Sequence, residues 1–362
     1  MSIDIVCTIG PASQDIEKLR ELISRGMTVA RINLSHGDQK THREVIQTLR
    51  RLAQETNKKV RILGDLQGPK IRLGTINGNQ AELKEGQTFR LYTTQVEGNA
   101  TQASIDYAGV TQDAKPGLRV LINDGEIQLR VLNVLPDHLE TEVLVGGVIS
   151  NHKGVNLPGL IIRLPALTEK DKQDLRFLLL EKVEMIACSF IRTPEHLDEI
   201  RSFAGLSQGH PPQIIAKIET MEGIRNFSSI LPKADGVMVA RGDLGVELPF
   251  PWIPLLQKAM ISECNKTNTF VITATQMLQS MVEHPVPTRA EVTDIFQSVL
   301  DGTNAVMLSA ESAAGHYPVE SVEVLKSVAR FAQRVCTKQP FDLGDMLDLL
   351  SEDFPMVVTS YQ

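Results

Sequence analysis

Residues 3–33, IDIVCTIGPASQDIEKLRELISRGMTVARIN, hold one complete strand–helix–strand unit. The runs 3–7 and 29–32 are short, apolar and rich in β-branched residues, the pattern of strands buried on both faces of a parallel sheet. Between them, Ser13 is placed to cap a helix whose Ile16, Leu19 and Ile23 share one face, and Gly26 to end it. Runs of the same kind recur at 60–63, 185–188, 214–218, 237–240, 270–273 and 305–308. Eight such runs alternating with helical segments predict an α/β fold, a (β/α)8 TIM barrel.

One interval breaks the rhythm. Residues 69–163 carry 11 of the 25 glycines, and Ile127, Leu129 and Val131 alternate with other residues as on a half-buried antiparallel strand. Asn123-Asp124-Gly125 has the composition of a hairpin turn. The expected organisation is a catalytic barrel from 1–68 and 164–335, with a small all-β domain, 69–163, inserted after barrel strand three. A short acidic tail, 336–362, follows. In the tail, Met346, Leu349 and Leu350 make a short helical stripe, and 356–359 has the texture of one strand.

Composition narrows the function. The 362 residues are 42% hydrophobic and 22% charged with a net charge of −7, a balance that excludes a mainly disordered chain and offers no basic excess for nucleic acid. Aromatic residues, at 4%, are too few for a base-stacking platform. None of the four cysteines forms a C-x-x-C pair, and no apolar run is long enough to span a membrane. A cytoplasmic setting is the expectation, with neither nucleic acid nor membrane as partner.

Active sites of such barrels lie on the loops that follow the strands. Here the second strand leads to Arg31, Asn33, Ser35 and His36, and the third to Asp65, Gly68, Lys70 and Arg72. The fifth carries Lys217 and Glu219, the sixth Arg241, Gly242 and Asp243, the seventh Thr275, and the eighth Ser309 and Glu311. Lys217 and Glu219 lie two apart and so point to the same side of a strand, into the mouth. Asp243 arrives beside Glu219 from the next strand. Two carboxylates with a lysine suit a divalent metal and an anionic ligand, since Mg²⁺ is held by one or two carboxylates plus substrate oxygens. Gly242-Asp243-Leu244-Gly245 reads as a helix opening whose free N–H groups attract a carboxylate or phosphate. Arg31 and Arg72 add fixed positive charge.

At these residues the chain resembles the pyruvate kinase family. The resemblance rests on Cys7-Thr-Ile-Gly-Pro-Ala-Ser13, Arg31-Ile-Asn-Leu-Ser-His-Gly37, Lys153-Gly-Val-Asn-Leu-Pro-Gly159 and Ile215-Ala-Lys-Ile-Glu219. It continues through Met238-Val-Ala-Arg-Gly-Asp-Leu-Gly-Val-Glu247, Thr273-Ala-Thr-Gln-Met-Leu278 and Pro287-Thr-Arg-Ala-Glu291, so that it runs from Ile5 to about Arg334. It implies glycolytic phosphoryl transfer from phosphoenolpyruvate to ADP, giving pyruvate and ATP, with Mg²⁺ or Mn²⁺ as cofactor. Glu219 and Asp243 would hold that metal. Lys217, Thr275 and Arg31 would be catalytic, and Arg31, Lys217, Gly242, Asp243 and Thr275 would hold substrate. Asn33, His36, Arg72 and Lys153 would meet the nucleotide, and 69–163 would be a β-barrel lid closing over it. Asn33, Ser35, Asp65 and the carbonyl of Leu66 match the family's monovalent-cation site.

The chain also departs from the family. Many members end strand three with threonine-lysine-glycine-proline-glutamate, whereas here Leu66-Gln67-Gly68-Pro69-Lys70 resembles a branch that works without potassium. The Lys70 ammonium would replace K⁺. Phe296-Gln297 stands where most members have alanine-asparagine, and Arg163 where aspartate is frequent. The family's C-terminal regulatory domain has no counterpart in the tail, so hyperbolic kinetics without a sugar-phosphate response are the expectation. Self-association would run through the barrel. Two further readings are a divergent paralogue acting on a related enolpyruvyl or phosphorylated substrate, and a non-catalytic regulatory binding module. A coupled assay with phosphoenolpyruvate and ADP separates them.

Overall fold

Each of the eight apolar runs is a parallel strand in the computed structural model, which describes residues 3–205 and 211–353. The strands are β1 (Asp4–Ile9), β2 (Val29–Asn33), β3 (Arg61–Asp65), β4 (Met185–Cys188), β5 (Gln213–Ile218), β6 (Gly236–Ala240), β7 (Phe270–Ala274) and β8 (Ala305–Leu308). They close into a barrel in chain order, with β1 paired to both β2 and β8. β3 pairs with β4 across the whole insertion, Leu63 opposite Met185. The consecutive apolar residues follow from burial on both faces. Val6, Val29, Leu63, Met185, Ile215 and Met238 fill the barrel interior, while their neighbours in sequence pack outward against the helices.

The first helix, Ile16–Arg25, buries Leu19, Leu22 and Ile23 and leaves Ile16 exposed. Its cap is Asp15, not Ser13: the Asp15 carboxylate accepts the Lys18 amide at 3.0 Å. The buried Ser13 hydroxyl instead accepts the Gly10 amide at 3.2 Å, folding the chain that leaves β1. Gly26 ends the helix at φ 135°, where a side chain would be strained.

The insertion has a separate hydrophobic core that includes Phe89, Leu91, Ile122, Leu129 and Leu139. Its strands form a two-stranded ladder, Gln80–Leu83 with Gly147–Ser150, and a six-stranded sheet, rather than the single closed β-barrel expected. Ile127, Leu129 and Val131 are the buried alternates of one strand. The hairpin before it turns through Asn123, Asp124 and Gly125, all at positive φ.

After the barrel, helix Leu343–Asp353 lies with Leu349 buried, and Arg334 pairs with Asp353. The run 356–359 lies outside the described residues. The Phe296 ring centroid is 6.2 Å from that of Phe331 and 6.3 Å from that of Phe341, so it packs the last barrel helix and the segment after it. Among the described residues no helix is long and apolar enough to cross a membrane.

A Cβ on Gly10 would lie 2.6 Å from the backbone carbonyl of Ala313, where β1 exits against the short helix after β8. Gly10→Ala is expected to destabilise the protein by about 1–3 kcal/mol through overpacking. Urea unfolding checks it: a midpoint unchanged from wild type contradicts the close approach.

Candidate active site

The mouth of the barrel is organised by Asp65, the last residue of β3, which is 1% exposed. Arg31 Nε, from β2, donates to Asp65 Oδ2 at 2.7 Å. Lys217 Nζ, from β5, lies 3.1 Å from Asp65 Oδ1 and 3.0 Å from Glu219 Oε1, and donates to Ser189 Oγ at 2.6 Å. Ser189 in turn donates to the Leu66 carbonyl at 2.7 Å. Glu219 Oε2 accepts the Phe190 amide at 2.7 Å. Two carboxylates and two cations, all largely buried, balance in charge.

Environment tunes each group. Burial favours the neutral form of Asp65, but Lys217 and Arg31 overcome it and hold the carboxyl below the usual carboxylate range. Burial opposes the Lys217 charge as well, and Asp65 and Glu219 outweigh it, pushing the ammonium up. For Glu219 burial wins over Lys217, and with Asp243 nearby its carboxyl is raised to about 7.

The cluster opens into a cavity of about 430 Å³ whose lining includes Arg31, Asn33, His36, Arg72, Lys153 and Asp243. Ser35, Lys70, Lys217 and Glu219 line it too, so most of the residues picked from the strand ends share one space. Arg72 Nη1 donates to the His152 carbonyl at 3.0 Å, a bond between the insertion's entry and exit segments. Asn33 Oδ1 accepts the Ser35 amide at 3.2 Å. Lys70 does not point into solvent. Its ammonium is 3.8 Å from Asp243 Oδ1 and 3.7 Å from Asp124 Oδ1, so it faces the sixth strand's carboxylate and the insertion's hairpin.

Thr275 does not line this cavity; Gly242, which it bonds, and Gln276, which follows it, line an adjoining one. The Thr275 hydroxyl donates to the Ala274 carbonyl at 2.7 Å and accepts the Gly242 amide at 2.8 Å. The Gly242 N–H is therefore engaged, not free as the sequence suggested. Thr275 and Gln276 both have positive φ, 67° and 56°, a conformation that costs energy in non-glycine residues and is kept only where neighbours enforce it. Arg241 is the enforcer. Its guanidinium donates to the carbonyls of Ala274 at 3.0 Å and Thr275 at 2.5 Å, and grips Asp294 through two contacts of 2.6 and 2.7 Å.

Several contributors escaped the sequence reading. Ser189 and Thr8 stand at the ends of β4 and β1; Thr8 Oγ1 accepts from Arg31 Nη1 at 2.8 Å. Their signal was position alone, the same end of the barrel. Glu247 is half-buried, and that enclosure, with Asp243, raises its carboxyl to about 7 against bonds from the Met221 backbone and the Asn156 side chain. It thereby ties the insertion's strand Val155–Asn156 to the barrel. Glu311, by contrast, is a buried brace, accepting the Leu278 and Ser309 amides at 3.0 and 2.7 Å.

Comparison with known proteins gives the family. Residues 1–322 match the family model described as pyruvate kinase, barrel domain. The chain belongs to the pyruvate kinase family. It is 44% identical to a pyruvate kinase of Clostridium perfringens over 330 residues, 91% of this chain and 70% of that protein. It is 47% identical to one from Sporosarcina psychrophila over 327 residues, 90% of this chain and 56% of the relative. A crystal structure of a pyruvate kinase from Cryptosporidium parvum superposes with a TM-score of 0.89 at 40% identity, covering 92% of this chain and 69% of the other. The chain thus spans between 56% and 70% of the length of these relatives.

The donor set fits a divalent cation of the magnesium type. Glu219 and Asp243 offer carboxylate oxygens to one cavity. Among the described residues no three acidic, histidine or cysteine side chains converge to hold a metal unaided. Such an ion would complete its coordination with water and ligand oxygens, as Mg²⁺ does.

Removing Lys217 leaves Asp65 and Glu219 buried with Arg31 as their remaining close cation. Lys217→Met is expected to lose about 3–5 kcal/mol of stability at pH 7. In that variant both carboxyls become proton acceptors with raised folded pKa, so part of the loss is regained as pH falls toward 5. Denaturation at the two pH values measures it; an equal deficit at both contradicts the role given to Lys217.

Proposed function

We propose that this chain transfers the phosphoryl group of phosphoenolpyruvate to ADP, releasing pyruvate and ATP in glycolysis. The observation that carries the reading is the Lys217 ammonium pinned between Asp65 and Glu219 in the cavity shared with Arg31 and Asp243. Phosphoryl transfer is catalysed mainly by positioning and by charge that meets the spreading negative charge.

In this scheme Arg31 and Lys217 would bind the phosphoryl oxygens as the bond to the enol oxygen breaks and the bond to the ADP oxygen forms. Lys217 would also steady the enolate that is left. The substrate carboxylate would take the Gly242 amide from Thr275, and the freed Thr275 hydroxyl would sit on the proton route to the enolate carbon. Asn33, His36, Arg72 and Lys153 would hold the nucleotide, with 69–163 closing as a lid that excludes water. A bound divalent metal, Mg²⁺ or Mn²⁺, at Glu219 and Asp243 would neutralise phosphate charge.

Lys70 supports independence from potassium. Asn33, Ser35, Asp65 and the Leu66 carbonyl would provide oxygens for a monovalent ion, and the Lys70 charge lines the same cavity as Asn33 and Ser35. Two like charges about 4 Å apart repel by about 4 kcal/mol at an effective dielectric of about 20. The cytoplasm, where these metabolites are expected to meet, is the proposed setting.

A coupled assay of pyruvate formation tests the function. Lys217→Met should lower kcat by about 100- to 1000-fold. Glu219→Gln and Asp243→Asn should each raise the half-saturating Mg²⁺ concentration by about tenfold or more. Wild-type turnover without phosphoenolpyruvate dependence would sink the reading. Separately, activity should be near full in sodium- or tetramethylammonium-only buffer, and Lys70→Glu should create a potassium requirement. Strong activation of the wild type by K⁺ overturns the assignment of Lys70.

A further inference from the structure

Asp171, in the first turn of the helix Glu169–Leu180 that follows the insertion, is completely buried. Its Oδ2 accepts the Thr168 amide at 2.9 Å and the Thr168 hydroxyl at 2.6 Å, closing the cap of that helix. Its Oδ1 has a different task and accepts the Gly68 amide at 3.0 Å, a partner 103 residues away in the chain. Among the described residues no cationic side chain pairs with this carboxylate within 4.0 Å. A buried carboxylate without a cation depends on its hydrogen-bond donors. One of the three here comes from the loop after β3.

That loop is shaped at Gly68, where φ is 70°. A Cβ there would lie 2.7 Å from the Ser189 Cβ and 3.0 Å from the Ser189 carbonyl oxygen, so the loop packs directly on Ser189. Groups of the barrel mouth stand on either side of Gly68. The Leu66 carbonyl takes the Ser189 hydroxyl at 2.7 Å, and the oxygen of that hydroxyl takes Lys217 Nζ at 2.6 Å. The Lys70 amide donates to the Gly68 carbonyl at 2.9 Å, and Lys70 lines the cavity. Asp171 does not line it.

The Ser189 hydroxyl holds the Lys217 ammonium in one place only if its own acceptor, the Leu66 carbonyl, is fixed. Leu66 is tied at its amide to the Ala187 carbonyl at 2.9 Å, and two residues on the loop is tied again by the Asp171–Gly68 bond. Without the second tie, the peptide units between Leu66 and Gly68 are held at one end. We propose that Asp171 is a positioning residue, which from outside the cavity sets the loop 66–70 and, through Ser189, the Lys217 ammonium. This role rests on the phosphoryl-transfer reading of Lys217.

Asp171→Asn tests it. The variant keeps the size but has one acceptor oxygen for donors on two sides. Thr168 supplies two of those donors, so the new NH2 faces the Gly68 amide, donor to donor. Hydrogen exchange in the segment 66–70 should quicken about tenfold, with exchange in 174–180 unchanged. In the coupled assay kcat should fall about tenfold or more, with the KM for phosphoenolpyruvate within about twofold of wild type. Thr168→Ala removes the cap and keeps the Gly68 bond. It should lower the urea midpoint but leave exchange at 66–70 and kcat within about twofold of wild type. In urea, Asp171→Asn and Ser189→Ala should together lose less stability than the sum of their separate losses, since both act through one loop. If Asp171→Asn fails to fold, Gly68→Ala, which displaces the loop from the Ser189 side, should reproduce the faster exchange and the lower kcat. A wild type without turnover would strike the reading of Lys217, while exchange and the urea cycle would still decide for or against Asp171. Unchanged exchange at 66–70, an unchanged kcat, additive urea losses, or the same kcat loss in Thr168→Ala overturns the proposal.

Discussion

A carboxylate without water must find cations, and Asp65 imposes that demand at the barrel mouth. It draws Arg31 from β2 and Lys217 from β5 across the sheet, and Lys217 brings Glu219 with it. Isolated burial of any one of these charges would be prohibitive, whereas the neutral set is sustained by its mutual attraction and hydrogen bonds. The backbone takes part as well. The Asp65 carbonyl accepts the Leu34 amide at 2.9 Å and the Leu66 amide reaches the Ala187 carbonyl at 2.9 Å, so three neighbouring strand ends are held in one frame. Arg31, Lys217 and Glu219 are thereby preorganised.

The barrel was legible because strands buried on both faces write themselves as continuous apolar runs, and Val237–Val239 or Ile214–Ile215 admit no other economical reading. The site was partly legible for a related reason: the fold sends one end of every strand to the same place. What local sequence could not supply was the choice among equivalent partners. Ser13 and Asp15 are both able caps, and the decision falls to Asp15 because Gly10 claims Ser13. Arg241 stands next to Gly242 and Asp243, but its task depends on Asp294 in a helix beyond the next strand, a contact no spacing announces. The insertion was visible as β-structure through glycine content and alternation, while its division into a ladder and a six-stranded sheet depends on pairings between distant strands.

Rigidity and strain are distributed unevenly. The cluster around Asp65 is neutral and tightly bonded, whereas the loop after β7 holds two consecutive residues in the left-handed region. That loop keeps its shape because Arg241 and Glu311 clamp it from either side, one at the Ala274 and Thr275 carbonyls and the other at the Leu278 amide. Thr275 is thus presented by a conformation its own backbone does not favour, which concentrates the structural demand on residues outside the cavity.

The pairing of β1 with β8, Asp4 opposite Ala305, has a consequence for synthesis. The first strand leaves the ribosome long before its second neighbour exists, and during that interval one of its edges has nothing to pair with. An unpaired strand edge is a template for association with other chains, and contacts so distant along the polypeptide form late and slowly. The nascent protein must therefore carry an open, adhesive sheet until the final strand emerges. Shielding by chaperones should matter most in that window, and much less once the seam has shut.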